Sequence, residues 1–280
     1  MNRACLNRIV ALNSFISSRR IHRSSSVYYA KGGGQEKTPT ITDMVGKNLL
    51  TLRSFTTSQL EDLLWCALDM KRAAKRNTNN LYEALRGKTC VAIFQKKSTR
   101  TRLSFEAGAP QLGARAIFCN SDDIHLGVNE TVKDTALVVS RLSDAIVARV
   151  YDHSLLEELA RHAAVNRVPV VNALSDTHHP TQALADLMTI YEHFGRLRGL
   201  KIAWVGDGNN VLHSLLIAAV KTGMHVAAAC PKGYEMSADV LEYARGVAAA
   251  NRTQLVTTHR PEEAAHRADV IVTDTWISIG

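Results

Sequence analysis

The chain has 280 residues, of which 46% are hydrophobic and 21% charged, and its formal net charge is +8 at pH 7. A chain of this length can form two domains with buried cores. Residues 1–40 contain seven basic residues and one acidic residue, which leaves a net charge of only +2 for the remainder. Because the basic charge is concentrated in this leader, the composition argues against a body that binds nucleic acid.

The leader has the composition of a targeting segment. Residues 1–29 are rich in Arg and Ser, contain no acidic residue, and place Leu, Ile and Val side chains between the basic ones. This pattern is typical of a mitochondrial transit peptide and predicts a matrix protein. We expect residues 1–37 to comprise the transit peptide and a linker, with cleavage between Arg23 and Lys37. A basic tail without a targeting role is the alternative.

The cysteines and the hydropathy of the chain exclude two further classes of protein. Five cysteines are scattered without a CxxC pair, which fits free thiols in a reducing compartment rather than disulfides or a zinc site. No uncharged stretch reaches the roughly 18 residues that a membrane-spanning helix needs. We therefore expect no membrane insertion.

Past the leader, short apolar runs alternate with amphipathic patterns. The apolar runs predict strands at 90–95, 145–150, 168–172, 200–205, 225–229, 254–257 and 269–273. The amphipathic patterns predict helices at 58–76, from about 101, and at 154–164, 180–194, 210–222, 237–250 and 261–267. Such alternation predicts an α/β fold with two doubly wound parallel-sheet domains, residues 38–185 and 186–280.

The first chemical signal follows the strand predicted at 90–95. Ser98, Thr99, Arg100 and Thr101 lie where this strand gives way to a helix. A helix N-terminus offers unpaired backbone N–H groups and a partial positive charge, which suit a phosphate. The hydroxyls add donors, and Arg100 can bind two phosphate oxygens at once. The alternative is an ordinary capped helix with a solvated basic turn.

Two further signals follow the next predicted strands. Arg149 lies within an apolar run, so it either meets a carboxylate or binds an anionic ligand, and both alternatives remain open. Pro180 disfavours helix at His179 and favours a helix start just after it. His179 and Gln182 are therefore expected at the carboxyl edge of the sheet. Taken alone, a histidine in this position is more often a structural hydrogen-bonding group.

Together these motifs resemble a known family. STRTR (98–102), the arginine in ARVY (148–151) and HPTQ (179–182) look like the carbamoyl-phosphate signature of the transcarbamylases. Within that family, the chain resembles the ornithine-using members at DIHLGVNE (123–130), WVGDGNNVLHS (204–214) and DTWISIG (274–280). The resemblance, which covers about residues 40–280, implies transfer of a carbamoyl group from carbamoyl phosphate to the side-chain amine of L-ornithine. It implies no metal, nucleotide or other cofactor and no covalent intermediate.

The resemblance also implies roles for the carbamoyl-phosphate residues in domain 38–185. The phosphate would be bound by Ser98, Thr99, Arg100 and Thr101. The carbamoyl oxygen would accept hydrogen bonds from Arg149, His179 and Thr101, which makes these three the catalytic residues. Gln182 would contact the carbamoyl amine.

The ornithine residues are implied in the same way, and all of them lie in domain 186–280. They are Asn210, Asp274, Ser278 and Ile279, the last in a loop that usually reads SMG in the family and reads SIG here. His125 would reach the phosphate of a neighbouring subunit, which implies a homotrimer. The GDG sequence at 206–208 lacks the third glycine of a dinucleotide-binding motif. We expect a tight turn there, which positions Asn209 and Asn210.

Two departures from the family pattern are visible. The printed sequence stops at Gly280, before the family's His-Cys-Leu-Pro motif. We therefore expect a C-terminally truncated chain with an incomplete second domain, which forms citrulline at a small fraction of a full-length rate. A short protein that binds carbamoyl phosphate or joins full-length subunits without turnover is the alternative. Pro110, in the helix that carries STRTR, predicts a bend.

Overall fold

The computed structural model describes residues 44–75, 84–121, 123–124 and 130–275. Within these ranges the strands are β1 (Thr89–Phe94), β2 (Arg115–Asn120), β3 (Ala145–Arg149), β4 (Val170–Leu174), β5 (Lys201–Val205), β6 (His225–Ala229), β7 (Leu255–Thr258) and β8 (Val270–Val272). Eight α-helices are α1 (Thr57–Lys75), α2 (Thr99–Gln111), α3 (Val132–Leu142), α4 (His153–Ala163), α5 (Pro180–Phe194), α6 (Asn210–Lys221), α7 (Ala238–Asn251) and α8 (Pro261–Ala265). The predicted transit peptide and linker lie outside the described residues.

The strands form two separate sheets, and every strand pair in both of them is parallel. The first sheet has the order β2-β1-β3-β4 and the second the order β7-β6-β5-β8. In each sheet the chain first moves outward in one direction and then returns to the other side of the starting strand, which defines a doubly wound sheet. The prediction of an α/β fold with two such sheets is confirmed.

Each sheet therefore has a switch point, where strands that leave in opposite directions lie side by side. In the first sheet the switch point lies between β1 and β3, and in the second between β5 and β8. Crevices at the carboxyl ends of such strand pairs are the usual ligand sites of open parallel sheets. The fold thus indicates two half-sites, one on each sheet.

Two elements, β2 and α3, were not predicted. Strand β2 is at the sheet edge and alternates between exposed and partly buried residues, so it lacks the continuous apolar run of a buried strand. Helix α3 buries Thr135, Ala136 and Ser140, whereas its apolar Leu142 is 74% exposed. In α3 burial therefore does not follow the apolar residues, and in β2 no residue is fully buried, so neither element has the sequence pattern of a buried face.

The two sheets are joined by more than the chain connection through α5. The backbone just before α1 accepts three hydrogen bonds from the buried Lys221 ammonium at the end of α6, through the carbonyls of Leu52, Arg53 and Phe55. Arg53 also forms an ion pair of 2.7 Å with Asp239 on α7. The segment before α1 is thereby attached to α6 and α7, two helices of the second sheet.

Pro110 lies in the last turn of α2, which ends at Gln111. The N–H of Leu112 donates to the carbonyls of Ala109 and Pro110, so the helix closes normally. The proline is more than two turns from Ser98, and it leaves the start of the helix with its regular cap. Any bend caused by Pro110 is therefore confined to the C-terminal end of α2.

Candidate active site

The first half-site lies at the switch point of the first sheet. Strand β1 ends at Phe94, which pairs in register with Arg149 at the end of β3. The Gln95 N–H donates to the Arg149 carbonyl at 2.8 Å, and the Gln95 side-chain oxygen accepts from the Tyr151 N–H at 3.0 Å. These bonds hold the ends of β1 and β3 together, so the segment after β1 and Arg149 lie side by side at the switch point, where open parallel sheets form a ligand crevice.

The predicted phosphate residues occupy the first turn of α2. Ser98 is the N-cap, and its hydroxyl accepts from the Thr101 N–H at 3.3 Å. Thr101 is buried, Thr99 and Arg100 are exposed, and no acidic residue lies in this first turn. An anion could therefore reach the positive end of the helix without repulsion from that turn.

Two cations reinforce this positive end. Lys96 is buried and its ammonium lies 4.6 Å from the ring centroid of Tyr151. Burial and the nearby charge of Arg149 lower the pKa of Lys96, against the opposing effect of Asp176. An anion bound between the helix start and these two cations, Lys96 and Arg149, would therefore stabilise both positive charges. Lys96 was not among the predicted site residues, although it lies directly after β1 as they do.

Arg102 belongs to the same sequence motif but takes no part in this crevice. Its guanidinium lies 3.8 Å from the ring centroid of Phe118 on β2 and pairs with Glu106 at 3.2 Å. Thr101 and Arg102 are consecutive in α2, so their side chains point about 100° apart around the helix.

The β4–α5 loop, residues 175–179, brings His179 and Gln182 to the third strand end at this edge. His179 is the N-cap of α5 and is 96% buried, with its Nδ1 3.3 Å from the Thr181 hydroxyl. The Gln182 amide donates to Asp186 at 2.7 Å. Because β4 pairs with β3, this loop lies next to Arg149, and the residues predicted to bind carbamoyl phosphate come from three adjacent strand ends.

The second half-site lies at the switch point of the second sheet. Asn209 caps α6 by accepting from the N–H groups of Val211 and Leu212, at 3.0 and 3.1 Å. Its side-chain amide donates to the Asp274 carboxylate at 3.0 Å, which ties the end of β5 to the segment after β8. The prediction that the glycine turn positions Asn209 and Asn210 at a strand–helix junction is confirmed.

Gly208 is required in this turn because another backbone passes close to it. A Cβ on Gly208 would lie 2.1 Å from the Met236 nitrogen and 2.3 Å from the Glu235 carbonyl carbon. The Gly208 N–H also donates to the Tyr234 carbonyl at 2.7 Å. Only a glycine lets the β5–α6 turn and the segment after β6 approach this closely.

One face of α6 connects the two half-sites, and we call its three side chains, Asn210, His213 and Ser214, the α6 strip. Each holds one backbone group of the β4–α5 loop. Asn210 donates to the Ser175 carbonyl at 2.5 Å, His213 contacts the Thr177 carbonyl at 3.0 Å, and Ser214 accepts from the His179 N–H at 2.7 Å. The loop of the first sheet is thus held directly by a helix of the second.

Removing the Ser214 hydroxyl tests this attachment. In Ser214→Ala the buried His179 N–H loses its acceptor, which should cost ~1–3 kcal/mol of unfolding free energy. Ser54→Ala is the matched control, because the Ser54 hydroxyl bonds a carbonyl at an exposed position and should change stability little. Urea unfolding followed by circular dichroism measures both variants. Equal midpoints for the two would contradict the described role of Ser214.

Three imidazoles are packed between the half-sites. The His178 ring lies 5.1 Å from that of His153 and 6.4 Å from that of His213, centroid to centroid. Burial and the neighbouring imidazoles lower the pKa of His178 to about 3. His178 is therefore neutral near pH 7 and packs between the other two imidazoles.

Three predicted site residues, His125, Ser278 and Ile279, lie outside the described residues. Of the others, the structure places Ser98, Thr99, Arg100, Thr101, Arg149, His179 and Gln182 at the edge of the first sheet and Asn210 and Asp274 at the edge of the second. Within the described ranges no group of three or more His, Cys, Asp or Glu side chains could hold a metal ion. No helix among these residues is long and apolar enough to cross a membrane.

The matching family models show to which class of protein this two-domain chain belongs. The chain belongs to the aspartate/ornithine carbamoyltransferase family, because the family's carbamoyl-P binding domain matches residues 47–192 and its Asp/Orn binding domain matches residues 198–280. Both substrate-binding domains of a carbamoyltransferase are therefore present, and the predicted enzyme class is confirmed.

Individual relatives of the chain are named ornithine carbamoyltransferases. The chain is 49% identical, over 86% of its length, to mitochondrial ornithine carbamoyltransferase from Aquarana catesbeiana, and 47% identical, over 84%, to ornithine carbamoyltransferase from Anoxybacillus flavithermus. The solved ornithine carbamoyltransferase from Pyrococcus furiosus superposes with a TM-score of 0.80 at 46% identity over 84% of the chain. The chain spans 68%, 73% and 73% of the lengths of these three relatives.

Proposed function

We propose that this chain transfers the carbamoyl group of carbamoyl phosphate to the side-chain amine of L-ornithine, giving citrulline and phosphate. The observation that supports this most directly is the α6 strip. It joins a cationic crevice suited to a phosphate to a second crevice that carries an amide and a carboxylate. The family match to both domains and relatives named ornithine carbamoyltransferase favour ornithine over aspartate.

In the proposed reaction the first crevice holds carbamoyl phosphate. Ser98, Thr99, Arg100 and Thr101 bind the phosphate at the start of α2, and Lys96 lies beside them. Attack on the carbamoyl carbon places negative charge on the carbonyl oxygen. Arg149, His179 and Thr101 donate to that oxygen and act as an oxyanion hole, and Gln182 orients the carbamoyl amine. Arg100 stabilises the phosphate as it leaves.

The second crevice holds ornithine in the same proposal. Asp274 has one carboxylate oxygen bonded to Asn209 and accepts the cationic α-amino group of ornithine on the other. Asn210 donates one side-chain N–H to the Ser175 carbonyl at 2.5 Å, so its second N–H and its side-chain oxygen can contact ornithine. Ser278 and Ile279 complete the proposed ornithine site. The neutral side-chain amine of ornithine then attacks the carbamoyl carbon directly, without a covalent enzyme intermediate.

The assembly and domain division are part of the same proposal. We propose a homotrimer in which His125 of one subunit reaches the phosphate bound by its neighbour. We also propose residues 38–185 as the carbamoyl-phosphate domain and 186–280 as the ornithine domain. The boundary between them would fall within α5, the helix that connects the two sheets.

The location of the protein is proposed from its leader. If residues 1–37 direct import into the mitochondrial matrix, residues 1–40 fused to a fluorescent reporter will place the reporter in mitochondria and be cleaved from it. Replacing Arg3, Arg8, Arg19, Arg20 and Arg23 with Gln removes most of the charge of the leader and should abolish import. Microscopy and the size of the reporter on a gel measure both effects. A diffuse cytosolic signal from the unaltered fusion would reject the proposal.

The proposed function is tested by measuring substrate binding and turnover on the same preparation. Calorimetry with carbamoyl phosphate tests the first half-site, and citrulline formation in the presence of L-ornithine tests both half-sites together. Binding that is accompanied by citrulline formation supports the proposal. Binding without any citrulline would select the alternative of a protein that binds carbamoyl phosphate without turnover. Carbamoylation of aspartate in place of ornithine would overturn the assignment of the second substrate.

A further inference from the structure

His213 lies at the centre of the α6 strip and contacts both half-sites. Its Nδ1 lies 3.0 Å from the carbonyl oxygen of Thr177, and its Nε2 lies 3.1 Å from the backbone nitrogen of Ser237, the N-cap residue of α7. Thr177 belongs to the β4–α5 loop, two residues before His179. Ser237 follows the segment that packs on Gly208. One imidazole thus bridges the carbamoyl-phosphate side and the ornithine side.

The two partners of His213 fix its tautomer. A carbonyl oxygen can only accept, so Nδ1 carries the proton and donates to Thr177. The Ser237 N–H can only donate, so Nε2 is the unprotonated nitrogen and accepts from it. Burial lowers the pKa of His213 below its usual range, which keeps this neutral tautomer in place. Both ring nitrogens are therefore used, and the ring cannot rotate without losing both bonds.

The other hydrogen bonds between the β4–α5 loop and α6 show what the bond to His213 contributes. The loop presents three backbone groups to α6 at every second residue, from Ser175, Thr177 and His179. Asn210 holds the first and is also a proposed ornithine ligand. His213 and Ser214 hold the other two. His213 therefore holds the middle of the loop that ends at His179.

We propose that His213 is a positioning residue, which fixes His179 against the carbamoyl group through its bond to the Thr177 carbonyl. This proposal rests on the proposed function, because it gives His179 the role of a donor to the carbamoyl oxygen. His213 itself does not touch the substrate in this proposal. Its bond to Ser237 holds the start of α7 and is not needed to place His179.

Two substitutions separate the two bonds of His213. In His213→Asn the side-chain amide lies near the position of Nδ1, so it can still donate to Thr177 but cannot reach Ser237. In His213→Gln the longer side chain places its oxygen near Nε2, so it can accept from Ser237 but no longer holds Thr177. Each variant removes one buried hydrogen bond and keeps the other, so the two should lose similar stability.

The proposal predicts an asymmetry that a purely structural role would not produce. His213→Gln should weaken carbamoyl phosphate binding by about tenfold, which corresponds to ~1.4 kcal/mol. His213→Asn should weaken it by less than about threefold, because the bond that fixes the loop remains. His225→Gln is the control for loss of a histidine bond elsewhere. It removes the imidazole that accepts from the Gln254 N–H at 2.9 Å, at the start of β6 and away from the carboxyl edge.

Calorimetry with carbamoyl phosphate and hydrogen exchange of backbone amides test the proposal together on the 280-residue chain. We expect faster exchange across residues 175–182 in His213→Gln but near Ser237 in His213→Asn. Equal weakening of binding in the two variants, or unchanged exchange at 175–182 in His213→Gln, would overturn the proposal. If the unaltered chain does not bind carbamoyl phosphate, the proposed function fails. The exchange comparison then decides alone whether His213 holds the loop.

Discussion

Replacing Arg149 with Leu is expected to weaken carbamoyl phosphate binding by a factor of tens to thousands. Loss of a charged hydrogen bond to a bound anion costs ~2–5 kcal/mol, and Arg149 lies at the switch point where such an anion would bind. Its charge also acts on Lys96, whose pKa it lowers, so the substitution removes one of the two cations of the crevice. Calorimetry with carbamoyl phosphate measures the change directly.

The control for this substitution is Arg161→Leu. Arg161 lies in the last turn of α4, its side chain is 70% exposed, and its distance to Glu158 is 3.9 Å. Its removal should leave carbamoyl phosphate affinity unchanged, because surface ion pairs of this kind contribute little. Circular dichroism must show that Arg149→Leu is folded. A folded Arg149→Leu variant with unchanged affinity would mean that Arg149 does not bind the substrate.

Gly208→Ala is expected to disrupt the second half-site. The added Cβ would lie 2.1 Å from the Met236 nitrogen, and backbone atoms cannot yield as a flexible side chain does. The β5–α6 turn and the segment after β6 must therefore move apart, at a cost of at least ~1–3 kcal/mol of unfolding free energy. Because the same turn positions Asn209 and Asn210, ornithine binding should be lost as well.

Gly246→Ala supplies the matched control for the added methyl group. Gly246 lies within α7, and a Cβ there would meet no atom within 4 Å beyond the backbone of its own helix. Replacing a helical glycine with alanine at an open position should stabilise the fold by ~0.5–1 kcal/mol. Urea unfolding compares the two variants. A Gly208→Ala variant as stable as Gly246→Ala would show that the close approach at Gly208 is absent in solution.

Much of the first half-site could be predicted from the sequence because its residues lie directly after apolar strands. Ser98 and Thr101 follow β1, Arg149 ends β3, and His179 follows β4 at a proline that starts a helix. Parallel strands place such residues at one sheet edge, so local patterns indicate a shared crevice. Whether Arg149 meets a carboxylate or a ligand could not be predicted, because that depends on contacts between distant segments.

The connection between the half-sites could not be predicted for the same reason. His213 and Ser214 lie within an apolar helix, and their bonds to Thr177 and His179 join residues 36 and 35 positions apart. No periodicity indicates such a pairing. Strand β2 and helix α3 were missed for a different reason. No residue of β2 is fully buried, and α3 buries Thr135 and Ser140 but exposes Leu142, so burial does not follow the apolar residues.

The central claim is that a carbamoyl group passes from carbamoyl phosphate to ornithine between the two half-sites. The most direct test incubates the chain with carbamoyl phosphate labelled at the carbamoyl carbon and with equal concentrations of L-ornithine and L-aspartate. We predict labelled citrulline and one phosphate for each citrulline, formed faster than with the Arg149→Leu variant. Labelled carbamoyl-aspartate, or citrulline formed equally fast by Arg149→Leu, would contradict the assignment of the site.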